Sequence, residues 1–495
     1  MKKIYITAFV FSTFFFAGCA DDYLDVDQTE SISTKDIELY NNDAGAAQFV
    51  TAIYNKFLNW DMTSFGWIGL SSITSDDADK GSSPGDTGTD KDVLDALTYN
   101  ASNPSAKSTF IANYDGINRC NQALNIIPQL DKADPNLRTR LIGEAKFLRA
   151  FMYFTLVKCY GGVPIVDHLP VPGSDSDRIM QLTRKSSAEV YAFIESDLND
   201  AIAALPDKSA YSVNERSRAS KGAAYALLAK VSLYQKKWQQ VIDNANKVTG
   251  YSIVSDYASM FKASGKFDSE SIFEIYAQGP STGTPAKGIE GYSNTQGTRG
   301  SGGWGWGFNT PSQSLVNAYE AGDVRKAATI IFRGQTLYDG RLIEETVENE
   351  RYNYKAYSSA YTREWETDVD IKYLRYAEVI LMKAEALNEL GQTSEAIPLL
   401  NQIRNRAGLP NTTFSSQADI RTAIWRERRV EMAFEHDRFF DLVRTGQAKA
   451  AFAADISPGF PNGKTFIVGK NELFPIPALF LNQANGLSQQ NPGYN

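Results

Sequence analysis

The sequence RYAEVILMKAEALNELG at residues 375–391, followed by SEAIPLLNQIR at residues 394–404, decides the fold class of this chain. In each stretch, apolar residues recur at the three- and four-residue spacing that places them on one face of an α-helix. These residues are Ile380, Ala384 and Leu387 in the first stretch and Ala396, Leu400 and Ile403 in the second. With a turn at Gly391 between them, the two stretches predict a tetratricopeptide-like helical pair.

Three further helical pairs are predicted N-terminal to this one. The spacing of the first pair recurs at Tyr225, Ala229, Ser232, Val241, Ala245 and Val248. The other two pairs are Ala46–Leu58 with Thr109–Leu130, and Leu141–Tyr160 with Ser187–Leu205. The sequence therefore predicts a mostly α fold built on a tetratricopeptide-like scaffold of helical pairs.

Two stretches interrupt the helical pattern. Residues 251–370 are rich in Gly, Ser, Thr and aromatic residues, which indicates loops and short strands, and Ile73–Asn103 is a second loop region. We therefore expect a scaffold over about 35–250 and 371–450 and a loop-rich, irregular second lobe over about 251–370 and 451–495. Because loops on a rigid scaffold tend to carry binding, we expect function in the insertions.

Composition excludes several classes of protein. Of the 495 residues, 43 % are hydrophobic and 22 % are charged, which is ordinary for a globular chain. The net charge of −8, from 50 basic and 58 acidic residues, argues against nucleic acid as a ligand. The chain has only two histidines, His168 and His436, which leaves few candidates for a catalytic triad or a histidine metal site. We therefore expect no cofactor and no metal.

The N-terminus reads as a targeting segment. Lys2 and Lys3 precede an apolar stretch over residues 4–17, which is too short to span a bilayer. It ends Phe16-Ala17-Gly18-Cys19, which resembles a bacterial lipobox with Phe16 in place of the usual Leu. We expect residues 1–18 to be a signal peptide and Cys19 to be lipidated; an ordinary secretory signal is the alternative.

Acidic residues at positions 21 and 22 follow Cys19 directly and look like the surface-export signal of Bacteroidetes lipoproteins. After cleavage, 48 basic and 58 acidic residues would leave a charge of −10. Cys120 and Cys159 would remain, and outside the cytoplasm they could pair. Because each lies among apolar helical neighbours, two buried free thiols are the favoured interpretation.

Four segments resemble the SusD/RagB family of glycan-binding lipoproteins. They are EAKFLRAFMYFTLVKCYGGVP at 144–164, ERRVEMAFEHDRFFDLVRTG at 427–446, LFPIP at 473–477 and QNPGY at 490–494. Their order and spacing match the family over nearly the whole mature chain. The departure is at residues 436–437, His-Asp, where the family more often has Gly-His before the Arg.

The resemblance implies a tetratricopeptide-like scaffold with an irregular lobe and no catalytic activity. It further implies a lipid-anchored protein on the outer face of the outer membrane. There it would capture oligosaccharides or polysaccharide and deliver them to a SusC-like TonB-dependent transporter. Aromatic loops and an acidic net charge favour a neutral β-glucan such as laminarin as the ligand.

A glycine-rich loop, GSGGWGWG at 300–307, is the first candidate binding site. Indole rings stack on the apolar faces of pyranose rings, and the glycines would let the backbone present Trp304 and Trp306, with Tyr292 and Arg299 just before them. The family's binding site lies on loops of this lobe, which supports the assignment. The alternative is that both Trp side chains fill a core. A dinucleotide site is excluded because no strand–turn–helix unit surrounds the GxGxxG pattern.

The loop TSDDADKG at 74–81 is the second candidate. Starch-binding members of the family use an acidic and a basic residue at a comparable place, which implies roles for Asp76, Asp77 and Lys80, with Trp67 nearby. A solvated acidic turn is the alternative. The aspartates do not follow the EF-hand spacing, although a calcium site of another kind stays open.

Glu427, Glu431 and Glu435 lie on one stripe of a predicted helix. Paired carboxylates occur in glycosidases, but several Arg residues lie within three or four positions, so structural ion pairs are favoured here. Two other function classes stay open at this point. One is a helical-repeat scaffold that binds peptides, and the other is a secreted glycoside hydrolase.

Overall fold

Helices make up most of the described chain. The structure is a computed structural model that describes residues 34–494 except 84, 87, 278–287, 359–360 and 364–365, so the predicted lipidation site, Cys19, lies outside the described residues. The α-helices are α1 (Thr34–Tyr40), α2 (Asp43–Lys56), α3 (Trp60–Thr63), α4 (Phe65–Ile68), α5 (Thr89–Asp95), α6 (Pro104–Ile126), α7 (Pro135–Tyr160), α8 (Asp175–Leu182), α9 (Ser187–Ala204), α10 (Lys221–Tyr234), α11 (Trp238–Ala245), α12 (Tyr292–Gln296), α13 (Gln313–Ala318), α14 (Arg325–Thr329), α15 (Tyr376–Glu389), α16 (Thr393–Arg406), α17 (Gln417–Glu431), α18 (Arg438–Arg444), α19 (Ala448–Ala454) and α20 (Ala478–Ala484).

The long helices pack in the predicted pairs. Helix α2 contacts α6, α7 contacts α9, α10 contacts α11, and α15 contacts α16. The predicted apolar faces lie inward: Ala384, Ala396 and Leu400 are fully buried. Helix α11 also packs on α15, so two units that residues 251–370 separate in the sequence are neighbours in space. The predicted mostly α, helical-pair fold is confirmed.

Local sequence fixes where several of these helices begin. The Asn103 side chain accepts the N–H of Ala106 at the start of α6, and Asp134 accepts two N–H groups at the start of α7. Each helix then has Pro at its first position, where no N–H is needed. Ser186 and Glu189 form a reciprocal capping box at the start of α9.

The strands are short and lie mainly in the loop-rich region. They are β1 (Ala78–Gly81), β2 (Ser271–Ile275), β3 (Ile289–Glu290), β4 (Phe308–Pro311), β5 (Ile330–Phe332), β6 (Arg351–Asn353), β7 (Tyr361–Arg363), β8 (Glu366–Thr367) and β9 (Ile371–Arg375). All described pairings are antiparallel: β1 with β4, β2 with β9, β5 with β6, and β8 with both β3 and β7. The β1–β4 pair joins the two loop regions that the sequence marks as candidate sites.

The C-terminal segment packs on the scaffold helices. The Phe474 N–H donates to the Cys159 carbonyl at 2.7 Å, and the Phe480 ring lies 5.3 Å from that of Phe110. These contacts connect residues 473–494 to α6 and α7, whereas the predicted division groups them with the lobe. That division stays a prediction.

Both remaining cysteines, Cys120 and Cys159, are buried free thiols, as favoured from the sequence. Burial raises the pKa of Cys159 to about 12. Within the described residues, no helix has both the length and the apolar composition required to cross a bilayer.

Candidate functional site

The loop that carries Trp304 and Trp306 folds back onto α12. The backbone N–H groups of Trp304 and Gly305 both donate to the Thr298 carbonyl at 2.9 Å, and the Trp306 N–H donates to the Asn294 carbonyl at 2.7 Å. The loop then enters β4. Its conformation is therefore held by backbone hydrogen bonds, while both indole side chains are half-buried.

Trp304 belongs to an aromatic group that we call the Trp304 cluster: Trp304, Tyr338, Arg341, Tyr354 and Tyr357. The Trp304 and Tyr357 ring centroids are 5.1 Å apart, and the Arg341 guanidinium lies 4.8 Å above the indole. Tyr338 stacks on Tyr354 at 6.1 Å and is 42 % exposed. Among the described residues, the buried Trp304 Nε1 has no hydrogen-bond partner.

Trp306 packs in a different place. Its ring centroid lies 5.5 Å from Trp60 and 6.3 Å from Phe65. Gly291 makes this packing possible: its φ is +67°, and a Cβ there would stand 2.2 Å from the Trp60 ring. The two indoles thus contact separate aromatic groups. They do not form the single platform of adjacent Trp rings that the sequence predicted.

Arg299 lies where the two candidate loops meet. Its guanidinium contacts Asp86 at 2.6 Å and Glu348 at 3.1 Å and donates to the Ser82 hydroxyl at 3.1 Å. The Ser82 N–H in turn donates to the Gly307 carbonyl at 2.6 Å. These contacts hold the glycine-rich loop against the end of β1, and the partly exposed Arg299 side chain connects the two loops.

Two predicted site residues lie in the interior. Tyr292 is 5 % exposed and its hydroxyl lies 3.0 Å from His436 Nε2, while Trp67 is 3 % exposed and packs on Phe440. Burial lowers the pKa of His436 to about 4, so the imidazole between them is neutral at pH 7. The proposed sugar contacts of Tyr292 and Trp67 stay untested, and this burial argues against them.

The carboxylates of the second candidate loop are also buried. The Arg438 guanidinium donates two 2.7 Å hydrogen bonds to Asp76, and Arg429 Nε donates at 2.7 Å to Asp77. Burial alone would raise the pKa of Asp76, but Arg438 and Arg429 hold it at about 2. Burial raises the pKa of Asp77 above its usual value.

Lys80, the basic residue of this loop, is 7 % exposed and pairs with Asp92 at 2.7 Å. The loop is therefore a buried ionic cluster rather than the solvated turn considered from the sequence. The sugar contacts proposed for Asp76, Asp77 and Lys80 are untested, but each of these buried side chains already has an ion-pair partner. In the part of the chain described, no three His, Cys, Asp or Glu side chains come together to hold a metal ion.

The three glutamates have the structural role that the sequence favours, although α17 ends at Glu431 and Glu435 lies beyond the helix. Glu427, Glu431 and Glu435 are buried, and each contacts an Arg side chain. Sequence reasoning missed Tyr338, Arg341, Tyr354 and Tyr357, although the density of Tyr over 338–357 was a usable signal. Trp60 lies close to the second candidate loop in the sequence, but its contact with Trp306 could not be predicted without the tertiary structure.

Comparisons with known proteins agree with this architecture. Residues 269–494 match a family model described as the SusD family, and residues 22–233 match one described as starch-binding, associating with outer membrane. A SusD-like protein P2 of Formosa agariphila is 27 % identical, with both chains covered completely.

Solved structures of this kind superpose on nearly the whole chain. A laminarin-binding SusD-like protein is 29 % identical with a TM-score of 0.74, covering 92 % of this chain and 100 % of the other. A SusD-like protein of Bacteroides fragilis is 25 % identical with a TM-score of 0.75, covering 92 % and 98 %. The packed helical pairs, the short strands between them and these matches together establish that the chain belongs to the SusD/RagB family.

Proposed function

We propose that this protein is a surface glycan-binding lipoprotein that captures oligosaccharides or polysaccharide and passes them to a SusC-like TonB-dependent transporter. The observation that carries the binding role is the Trp304 cluster. It places a half-buried indole, an exposed Tyr338 and the Arg341 guanidinium together on a loop-rich surface. Aromatic faces for sugar C–H groups beside a fixed donor are the chemistry of a carbohydrate site.

A ligand would complete this surface in two ways. Tyr338 is 42 % exposed beside Tyr354 and Lys262, so part of its side chain can contact a sugar, and Arg341, already held over Trp304, offers planar N–H donors to sugar hydroxyls. The buried Trp304 N–H has no hydrogen-bond partner among the described residues, a state that costs free energy. We infer no turnover, because Glu427, Glu431 and Glu435, the acidic row considered for glycosidase chemistry, are buried and paired with arginines.

For the ligand we propose a neutral β-glucan such as laminarin. The support is the ligand named for the 29 % identical solved structure, together with the net charge of −8, which disfavours strongly anionic glycans. The aromatic rings suit the apolar C–H faces of pyranose residues.

Native affinity gels cast with laminarin, starch or alginate test the binding role and the ligand. We expect retardation by laminarin, and weakening of about tenfold, near 1.4 kcal/mol, for both Trp304→Ala and Tyr338→Ala. Tyr276→Ala is the matched control, because Tyr276 is a similarly exposed tyrosine (37 %) outside the cluster.

Three results would contradict parts of this proposal. Retardation by starch or alginate alone would overturn the ligand, and retardation unchanged in both cluster variants would overturn the site. No retardation by any glycan would overturn the binding role and favour the peptide-binding scaffold.

We propose in addition that Cys19 carries the lipid and that the protein sits on the outer face of the outer membrane. The lipobox-like Phe16-Ala17-Gly18-Cys19 supports this, as does the outer-membrane association in the description of the matching family. Labelling with a radioactive fatty acid should mark the natural chain and not Cys19→Ala. Transfer to the transporter predicts that the two proteins co-purify from membranes; a lipidated protein that never co-purifies would overturn that step.

A further inference from the structure

A cleft of about 270 Å³ opens on the helical scaffold, among residues that the proposed function does not use. Trp238 at the start of α11 and Trp425 in α17 line it, together with Glu385 and Glu389 of α15 and Arg421 of α17. Helix α11 and helix α17 both pack on α15, which brings the two indoles to one opening. No local pattern in the sequence joins these residues.

Both indoles are half-buried, so each keeps part of its surface toward solvent. The Trp425 Nε1–H donates to Glu385 at 3.2 Å, which fixes the plane of that ring. Glu385 is itself held by two hydrogen bonds from Arg444, at 2.6 and 2.9 Å. One wall of the cleft is thus a rigid, oriented aromatic ring.

The Trp238 side chain has a different environment. Its indole N–H forms no hydrogen bond with the described residues and is not among their buried, unpartnered atoms. Its ring packs against the main hydrophobic core, which holds it in place. A ligand in the cleft would therefore meet a fixed ring with a free donor.

Charges in the cleft are almost balanced. Arg421 pairs with Glu389, with an Nη2–Oε2 distance of 2.9 Å, and Arg444 pairs with Glu385. The Arg421 and Glu389 side chains are 30 % and 17 % exposed, so both can still reach a ligand. An exposed Lys236 adds one positive charge at the edge. Paired planar groups of this kind donate to and accept from neighbouring hydroxyls without selecting a charged ligand.

We propose that this Trp238–Trp425 cleft is a second sugar-binding site, which accepts one pyranose residue of a neutral glycan. The indoles would contact the C–H faces of the ring, and the Arg421–Glu389 pair would hydrogen-bond its hydroxyls. The site lies on the scaffold, away from the residues of the Trp304 cluster, and does not depend on that cluster. Two sites on one chain would hold a polysaccharide more tightly than either alone.

Fluorine NMR of the protein labelled with 5-fluorotryptophan tests this site directly. Trp238→Phe and Trp425→Phe assign the two resonances, and laminarihexaose, maltohexaose and cellohexaose are the probes. We expect at least one probe to shift both resonances saturably at millimolar concentrations, including in the Trp304→Ala background. Arg421→Ala should weaken that response at least fivefold, with an unchanged thermal melt.

The outcomes separate this proposal from the function proposed above. Shifts at Trp304 alone would support the lobe site and overturn the cleft. Shifts at Trp238 and Trp425 alone would support the cleft and overturn the lobe site. If only an added peptide moves the two resonances, the cleft is a protein-binding site and the sugar proposal fails. If Arg421→Ala does not fold, the titration of the unsubstituted protein still decides whether the cleft binds a glycan.

Discussion

At the scale of single residues, the buried ion pairs of the 74–81 loop set the behaviour of that loop. Asp76 is 1 % exposed and accepts two hydrogen bonds from Arg438. Asp79, three residues on, has a buried oxygen without a partner and lies near Asp95. Neighbouring carboxylates therefore contribute to stability with opposite sign.

We predict that Asp76→Asn lowers the free energy of unfolding by about 3–5 kcal/mol, because Arg438 and Arg429 lose the buried carboxylate they share and Arg438 keeps only Asp77, at 3.8 Å. The native pKa of Asp76 is about 2, below its usual value of 3.8, so its contribution is complete above pH 4. It is lost as pH falls toward 2. Urea unfolding at pH 7 and at pH 3 measures both effects.

The control is Asp175→Asn, whose partner Arg178 lies 3.6 Å away with both side chains exposed. We expect a change within about 0.5 kcal/mol there, since exposed pairs contribute little. Equal losses in the two variants would show that burial is not the cause.

The ionisation of Asp79 affects stability in the opposite direction to that of Asp76. Burial, and then the charge of Asp95, raises its pKa from 3.8 to about 6, so the folded protein binds this proton more tightly than the unfolded chain. Its contribution to stability falls as pH rises from about 4 to 6. Asp79→Asn should therefore stabilise the protein at pH 7.5 by roughly 2 kcal/mol and change little at pH 4. Thermal melts at both pH values check this; a variant less stable at pH 7.5 would contradict it.

At the scale of elements, close helix crossings rest on small residues. Gly143 in α7 faces the end of α9, and a Cβ there would stand 2.7 Å from the Ala204 Cβ. Gly143→Val should lower stability by about 1–3 kcal/mol, because the two helices must move apart. Gly459→Val is the control, since nothing lies within 4 Å of its added Cβ. Denaturant midpoints compare the two, and equal midpoints would show that the crossing tolerates the extra volume.

Strand pairing, like helix packing, brings together segments that are far apart in the sequence. The register of β1 against β4 puts Gly81 opposite Phe308, which brings the 74–81 loop beside the 300–307 loop. Two candidate sites more than 200 residues apart in the sequence thus form one region. Within it, the glycine-rich loop carries two half-buried indoles, and the carboxylates of the acidic loop are buried in ion pairs.

At the scale of the whole molecule, helix α17 connects the parts of the fold. Glu431 contacts Arg325 of α14 at 2.9 Å, Arg375 at the end of β9 at 2.5 Å, and Arg406 of α16. All of these side chains are almost completely buried. A single carboxylate therefore connects residues of α14, β9 and α16.

We predict that Glu431→Gln lowers stability by about 3–5 kcal/mol, because three buried guanidiniums lose one counter-charge. Unfolding followed by tryptophan fluorescence and by circular dichroism should stay a single, coincident transition at lower urea. Glu395→Gln, on an exposed position of α16, is the control and should leave the midpoint unchanged. Separate transitions for the two probes would show that the lobe and scaffold unfold independently.

The sequence alone determined the helical scaffold. The faces at Ile380, Ala384 and Leu387 could be identified because amphipathic periodicity is a local property that burial enforces turn by turn. The glutamates at 427, 431 and 435 do form structural ion pairs, but their partners, such as Arg325 and Arg375, are distant in the sequence. The neighbouring arginines pair with other carboxylates, so only the role, and not the partners, followed from the sequence. The family segments added the overall class of the protein.

Only the tertiary structure decided which polar and aromatic residues face solvent. Asp76 pairs with Arg438, which lies 362 residues away in the sequence, and the contact between Trp304 and Tyr357 also depends on the tertiary fold. Trp238 and Trp425 share a cleft because α11 and α17 pack on the same helix. Such contacts depend on long-range packing, and an isolated Asp or Trp in a sequence carries no local signal of its burial or its partner.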